Sequence, residues 1–211
     1  MTLNGSYATR DETILALPDL AVDDLRPGPD LAPVEAAAAD LLVALGVDVT
    51  RGGTLDTPRR VARMYAELLT PRAFKPTTFP NDDGYDELVL VRNIPFVSLC
   101  EHHMLPFQGV AHLGYLPGDR IIGLSKLARL VHYYARSLQV QERLTRQVAD
   151  WLRDELAPKG VGVVLVAEHQ CMTIRGVQAT GAETVTSTMY GLLRDNPASR
   201  QEFLDLAGIH T

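Results

Sequence analysis

The chain contains few cysteines and no long apolar run. Only two of its 211 residues are cysteines, Cys100 and Cys171, which is too few for a disulfide framework and indicates a reduced compartment. No stretch approaches the roughly 20 consecutive apolar residues that a membrane helix needs. The N-terminus also lacks a basic region followed by an apolar core. These absences predict a cytoplasmic protein with no membrane partner.

The chain also lacks an excess of positive charge. Charged residues make up 22% of it and the formal net charge is −6, so a globally basic surface is excluded and no nucleic-acid partner is expected. A local basic pocket is compatible with this balance. Acidic residues outnumber Arg10 and Arg26 over residues 1–30, which show no sustained period and end in the turn-rich RPGPD. We interpret residues 1–30 as a flexible acidic tail.

Hydrophobic periodicity divides the remainder into helices and strands. Helical spacing occurs over residues 33–48, 56–69, 124–138, 140–156 and 196–208. Short β-branched runs between turn residues predict strands over residues 87–93, 95–99, 107–115, 160–169, 171–176 and 183–191. This order predicts an α+β fold, with an antiparallel sheet backed by two long helices. The tail is then followed by an N-terminal helical region over 31–75 and a main domain over 76–211.

Both cysteines lie beside histidines. Cys100 and His103 are three residues apart, which is a common ligand spacing within one loop, and Cys171 follows a predicted strand that can meet the same sheet. Thiolate and imidazole ligands favour zinc, and three protein ligands leave a fourth position for water, as in catalytic sites. Two alternatives stay open: buried structural cysteines, and a cysteine nucleophile with a histidine base.

Two further histidines adjoin these candidate ligands. His102 precedes His103, and His169 lies two residues before Cys171. Histidine titrates near neutral pH, which suits general acid–base catalysis, although a histidine bonded to the backbone is an equal alternative. Three histidines have no such neighbourhood and are expected to have no catalytic role: His112, His132 and His210.

A predicted helix start carries two cations. Ser125 is placed to cap this helix, and Lys126 and Arg129 follow on one face, where positive charge opposes the helix dipole. An anion bound at the helix start would offset that cost, and phosphate is a candidate. Other arginines that can add charge are Arg175, Arg60 and Arg63. The alternative is a solvated basic face.

The next helix begins with Gln141 and Glu142, directly after Val140. An amide beside a carboxylate suits the donor edge of a guanine-like base. The alternative is a glutamate that favours a helix N-terminus through the dipole.

Taken together, these segments resemble the GTP cyclohydrolase I family. The matching blocks are CEHHMLPFQGVAHLGYLP, IGLSKLARLV, LQVQERLT, GVGVVLVAEHQCM, IRGVQ and TVTSTMYG, and the resemblance covers roughly residues 33–207. It implies a tunnelling fold for residues 76–211, with an N-terminal helical extension. It also implies a homodecamer of two pentameric rings with active sites between subunits, and GTP as substrate.

The resemblance also implies the reaction and the metal. Zinc is held by Cys100, His103 and Cys171, a zinc-activated water opens the guanine ring at C8, and formate leaves. An Amadori rearrangement and ring closure then give 7,8-dihydroneopterin triphosphate. His102 and His169 match residues that move protons at the imidazole nitrogen and the ribose ring oxygen.

Further positions match substrate contacts of the family. By resemblance, Ser125 and Gln141 act near the ribose, and Glu142 anchors guanine with help from the Val140 backbone. The matching triphosphate contacts are Lys126, Arg129 and Arg175, with Arg60 and Arg63 supplied by a neighbouring subunit. The chain departs from the family at Gly181-Ala182-Glu183, where a serine and a basic residue often precede TVTS.

Three rival functions are weighed against this resemblance. A non-catalytic nucleotide-binding relative would lack a ligand, a histidine or Glu142, and all are present. A zinc hydrolase that stops at the ring-opened formamide is disfavoured by Ser125, His169 and Gln141. A base deaminase is disfavoured because its Pro-Cys-x-x-Cys element is absent.

Overall fold

The computed structural model describes residues 28–209. The predicted acidic tail therefore lies almost entirely outside the described residues, and His210 lies outside them as well. Among residues 28–209, no helix is both long enough and apolar enough to cross a membrane.

A mainly antiparallel five-stranded sheet forms the centre of the fold. The strands of the described chain are β1 (Thr78–Pro80), β2 (Val89–Cys100), β3 (Pro106–Leu116), β4 (Arg120–Ile122), β5 (Leu138–Gln139), β6 (Gly160–His169) and β7 (Glu183–Gly191). The sheet order is β5-β2-β3-β6-β7, and only the short β5 runs parallel to its neighbour. Strands β1 and β4 form a separate pair.

Seven helices accompany the strands within residues 28–209. They are α1 (Leu31–Ala44), α2 (Thr57–Leu69), α3 (Leu124–Ala135), α4 (Gln141–Leu156), α5 (Gln170–Thr173), α6 (Leu192–Asp195) and α7 (Pro197–Ala207). The Asp30 carboxylate accepts from the Ala32 amide at the start of α1, and the Asn196 side chain does the same for α7. Helices α3 and α4 are the two long helices that the sequence places behind the sheet.

Three expectations differ from the structure. The two strands predicted over 87–93 and 95–99 are one strand, because a bulge at Asn93 (φ 58°) shifts the register and lets pairing continue. The strand predicted over 171–176 is wrong, since α5 begins directly after β6. The segment cannot add a strand beside β6, because β3 and β7 already pair with both edges of β6.

The third difference concerns the start of α3. Its N-cap is Gly123, and no side chain caps it, so Ser125 lies one residue inside the helix and is not the cap. The predicted helix start at residue 124 agrees with the structure, and only the capping role of Ser125 is wrong, because the chain enters α3 from β4 through Gly123.

The two faces of the sheet bury different cores. Helices α3 and α4 cover one face with the larger core, which includes Leu127, Leu130, Leu144, Leu152 and Phe107. The opposite face is covered at one end by α6 and α7, through a smaller set that we call the α7 core: Leu116, Val164, Met189, Leu193 and Phe203. The fold is therefore α+β, with an antiparallel-rich sheet and two long backing helices, as predicted.

Candidate metal and active site

The candidate site lies where β2 and β6 end. Cys100 is the last residue of β2, and Phe107 of β3 pairs with His169, the last residue of β6. This register brings the segment after β6 next to the loop after β2. One ligand atom from each of Cys100, His103 and Cys171 lies within 4.8 Å of the others. We call these three residues the thiol–imidazole cluster.

A tight turn after Cys100 returns the histidines to the thiol. The His103 and Met104 amides both donate to the Cys100 carbonyl oxygen, at 3.3 and 2.8 Å, and Met104 takes a φ of 54°. His103 Nδ1 is then 3.9 Å from Cys100 Sγ, and His102 Nδ1 is 3.7 Å from it. The turn thus presents two adjacent imidazoles to one sulfur.

The donors of the cluster fit a soft or borderline divalent metal. Burial raises the pKa of the Cys171 thiol, and the neighbouring Cys100 adds to the rise. Two thiolates at this separation repel each other unless a cation lies between them. Binding of a metal ion removes that repulsion and deprotonates the thiols, so zinc fits the residues present.

His102 lies on the open side of the turn. Its side chain is 64% exposed, and its Nε2 is 3.9 Å from a carboxylate oxygen of Glu101. The other Glu101 oxygen pairs with the Arg143 guanidinium of α4. His102 is therefore accessible to a ligand in front of the cluster while its neighbour Glu101 is tied to α4.

His169 is more enclosed. Its ring stacks on Phe107, with centroids 4.6 Å apart and 1° between planes, and its Nε2 lies 2.8 Å from Gln141 Oε1. Burial lowers the pKa of His169, and the Glu142 carboxylate opposes that effect. Burial thus favours the neutral imidazole. The sequence singled out Gln141 as well, and the structure joins the two.

The predicted cationic residues differ in whether they reach the thiol–imidazole cluster. Arg175 Nη1 is 3.4 Å from His103 Nε2, so this arginine reaches the cluster. Lys126 and Arg129 lie on the first turns of α3 and form no ion pair within residues 28–209. Arg60 of α2 is 3.6 Å from Asp56, and Arg63 is exposed on the same helix. Within the described chain, neither α2 arginine contacts the cluster.

The start of α4 and the turn before β7 complete the neighbourhood. Val140 is the N-cap of α4, and Glu142 lies exposed in the first turn. The departure from the family pattern falls in a turn where Gly181 has a φ of 80°. Glu183 then pairs with Glu168 in the β6–β7 register.

Some functional neighbours were not found from the sequence. Phe107, Glu101 and Arg143 contact the histidine side chains or their partners, yet none was assigned a role. Phe107 follows from the β3–β6 register, and Arg143 from its place two residues after Gln141 at the start of α4. Both depend on three-dimensional pairing, which residue spacing does not reveal.

The fold and the cluster define an α+β protein with a Cys₂His group that could hold a metal ion. A family model described as GTP cyclohydrolase I matches residues 34–208. GTP cyclohydrolase 1 of Mycolicibacterium paratuberculosis (strain ATCC BAA-968 / K-10) is 52% identical over 194 residues, covering 90% of this chain and 95% of that protein. The chain therefore belongs to the GTP cyclohydrolase I family, a family of enzymes.

Other comparisons agree or add little. GTP cyclohydrolase 1 of Mycobacteroides abscessus is 53% identical over 182 residues, covering 84% of this chain and 89% of that protein. A crystal structure of the archaeosine synthase QueF-Like in the apo form covers 49% of this chain and 93% of that chain, at 16% identity and a TM-score of 0.40. That likeness is too weak to support the fold.

Proposed function

We propose that this chain opens the guanine ring of GTP at C8, releases formate, and forms 7,8-dihydroneopterin triphosphate through an Amadori rearrangement and ring closure. This reaction is the first step of folate and pterin biosynthesis. Family membership supports GTP as substrate. The observation that carries the proposal is the thiol–imidazole cluster, whose ligand atoms lie within 4.8 Å of one another beside two further histidines.

We infer that Cys100, His103 and Cys171 hold Zn²⁺. Two thiolates and one imidazole are borderline-soft donors, and a three-ligand set leaves a coordination position open. When bound, zinc supplies a Lewis acid that activates water near neutral pH. The burial of Cys100, which is 5% exposed, shields one side of the cluster from bulk water.

The two flanking histidines are proposed to transfer protons. His102 is exposed in front of the cluster, so it can reach the imidazole nitrogen of a guanine placed there. His169 and Ser125 are assigned to the ribose. Gln141 was expected to assist at the same position, although it is enclosed behind His169.

Substrate binding is assigned to a carboxylate, a main-chain group and three cations. Glu142 and the Val140 backbone at the start of α4 suit the donor edge of guanine, where a carboxylate accepts from N–H groups. Lys126, Arg129 and Arg175 supply positive charge for the triphosphate. A net charge of −6 does not oppose this, because the cations are local.

We further propose that the site is shared between subunits of a homodecamer with the tunnelling fold. Arg60 and Arg63 are assigned to the triphosphate of a neighbouring subunit's site, which agrees with their lack of contact with the cluster within the described chain. Strand β7 pairs only with β6 among the described strands, so one sheet edge is open to another chain. Residues 76–211 are proposed as the catalytic domain and 31–75 as its helical extension.

Product identification tests the proposed reaction. Zinc-loaded protein is incubated with GTP, and the products are identified by mass while formate is quantified. Dihydroneopterin triphosphate with equimolar formate supports the proposal. A ring-opened formamide as the product would show that the chain hydrolyses the ring but does not carry out the rearrangement. Unchanged GTP with metal bound would favour a nucleotide-binding protein without this activity.

A further inference from the structure

Gln141 is a buried polar residue whose amide is fully engaged inside the protein. It is the first residue of α4 and only 1% exposed, although the sequence suggested a position beside the ribose. A buried amide is retained when its donors and acceptor are all satisfied. The partners of Gln141 therefore indicate what its side chain does.

The orientation of the Gln141 amide follows from three oxygen atoms around one end. Nε2 lies 3.1 Å from the Leu165 carbonyl oxygen, 2.9 Å from the Thr184 carbonyl oxygen and 3.1 Å from Thr186 Oγ1. Main-chain carbonyl oxygens only accept hydrogen bonds, so the amino group must face them. A flipped amide would place its oxygen against two carbonyl oxygens.

Two threonine hydroxyls support this orientation. Thr145 Oγ1 donates to the main-chain carbonyl oxygen of Gln141 at 2.7 Å, which uses its only proton. Thr186 Oγ1, 2.6 Å from Thr145 Oγ1, must then donate to it and keeps a lone pair for the Gln141 amino group. The hydroxyl protons therefore all point one way, from Thr186 on β7 to Thr145 on α4 and from Thr145 to the main-chain carbonyl oxygen of Gln141.

The amide oxygen, Oε1, determines which ring nitrogen of His169 carries the proton. It lies 2.8 Å from His169 Nε2 and can only accept, so Nε2 carries a proton. A neutral imidazole then has Nδ1 unprotonated. The stack on Phe107 fixes the ring plane, and the amide fixes which nitrogen faces inward.

We propose that Gln141 is a positioning residue that acts through His169 and does not contact the substrate. It holds the neutral ring as the Nε2–H tautomer, so that Nδ1 is the acceptor offered to a substrate donor. The effect on turnover rests on the proposed function, whereas the tautomer itself does not.

A double-mutant cycle tests whether Gln141 affects turnover through His169. The variants Gln141→Met, His169→Ala and their combination are loaded with zinc, and kcat and KM for GTP are measured. We expect Gln141→Met alone to lower kcat by about 10- to 100-fold with KM within about twofold, consistent with loss of an oriented acid–base group. In the His169→Ala background the same change should have no further effect. Independent, multiplying losses would overturn the proposal.

Nitrogen NMR tests the tautomer without using activity. With ¹⁵N-labelled histidine, the His169 ring signals are assigned by their loss in His169→Ala. We expect a protonated Nε2 and an unprotonated Nδ1 in the parent, and mixed tautomers in Gln141→Met. The opposite tautomer in the parent would overturn the proposal. If the parent does not consume GTP, the proposed function fails while this spectrum still decides the tautomer.

A milder pair of variants separates positioning from folding. Thr186→Val removes one acceptor of the Gln141 amide with little change in volume. Thr188→Val is the matched control, because Thr188 lies on the same strand and face and has no side-chain hydrogen bond within residues 28–209. We expect Thr186→Val to lower kcat severalfold and Thr188→Val to leave it unchanged. Equal effects of the two variants would count against the network.

Discussion

The two ends of the β3–β6 pair are built differently. At one end, Phe107 and His169 pair beside the thiol–imidazole cluster, and polar side chains fill the space. Toward the other end, β3 and β6 carry glycines at Gly114 and Gly162, and Phe203 of the α7 core packs onto them. A Cβ on either glycine would come within 2.9 or 2.8 Å of the Phe203 ring.

This difference indicates that one end of the β3–β6 pair contributes mainly to stability and the other mainly to the chemistry of the site. Close apolar packing at the α7 end fixes the β3–β6 register, because side chains cannot slip past a ring seated on two glycines. The same register places His169 opposite Phe107 at the site end. Changes at the site end should therefore affect metal and turnover, and changes at the α7 end should affect stability.

The largest effect is expected for Cys171→Ser. A serine hydroxyl is a poor zinc ligand, so the variant should lose bound metal and, with it, turnover by about 10³-fold or more, since activated water near neutral pH requires the metal. Metal content by mass spectrometry and GTP turnover measure both effects.

The matched control for that change is Met172→Ser, the adjacent exposed residue of α5. It should keep metal and turnover. Zinc at one equivalent with full turnover in Cys171→Ser would show that the ligand assignment is wrong.

Next in size is His102→Ala. The variant should keep its zinc and its unfolding midpoint, because the side chain is largely exposed, and lose about 10²- to 10⁴-fold in kcat, the usual contribution of a general acid–base group. His132→Ala is the control, since His132 Nε2 bonds the Pro95 carbonyl oxygen, away from the cluster. Parental turnover in His102→Ala would exclude a proton-transfer role.

At the other end, Phe203→Ala should cost stability. Removing a fully buried phenylalanine typically lowers the free energy of unfolding by about 3–5 kcal/mol. Turnover per folded molecule should stay within about twofold, well below the unfolding midpoint. Denaturant titration and GTP turnover measure the two quantities.

Leu206→Ala is the control on the same helix. Leu206 is 49% exposed, so the change should shift stability by no more than about 0.5 kcal/mol. Should Phe203→Ala abolish turnover in chains that are still folded, the separation of the two ends would not hold.

The sequence predicted the fold and the candidate site only in part. The helical periods of α2, α3 and α4 are strong, so their existence followed from apolar spacing, and the Cys–His neighbours identified the cluster. Strand ends were harder to predict, because the segment after His169 carries β-branched residues yet forms α5. Local propensity cannot show that a sheet has no free edge at that point.

The side-chain network at the site end could not be predicted for a related reason. Gln141 and Glu142 are adjacent and polar, and spacing alone does not distinguish their surroundings. The structure turns Glu142 outward and encloses Gln141 against Thr184 and Leu165 of two different strands. Such contacts depend on how α4 is rotated over the sheet, which composition and periodicity do not determine.

The smallest expected effect concerns His112, a buried histidine on β3. Burial lowers the pKa of His112, and the nearby Arg92 adds to the fall. Its Nδ1 has no hydrogen-bond partner within residues 28–209. Because the folded pKa lies below the ordinary value of about 6.5, the unfolded chain binds the proton more readily. The stabilisation is complete above about pH 6.5 and is lost as pH falls toward the folded pKa.

His112→Leu removes this titration, so the free energy of unfolding should fall less between about pH 7.5 and pH 5.5 in the variant than in the parent. An apolar side chain also removes an unsatisfied buried atom, so stability at neutral pH should be retained. Denaturant titrations on metal-free protein measure this, because proton competition at the thiol–imidazole cluster then makes no contribution. Identical pH slopes for parent and variant would show that His112 does not contribute to the pH dependence of stability.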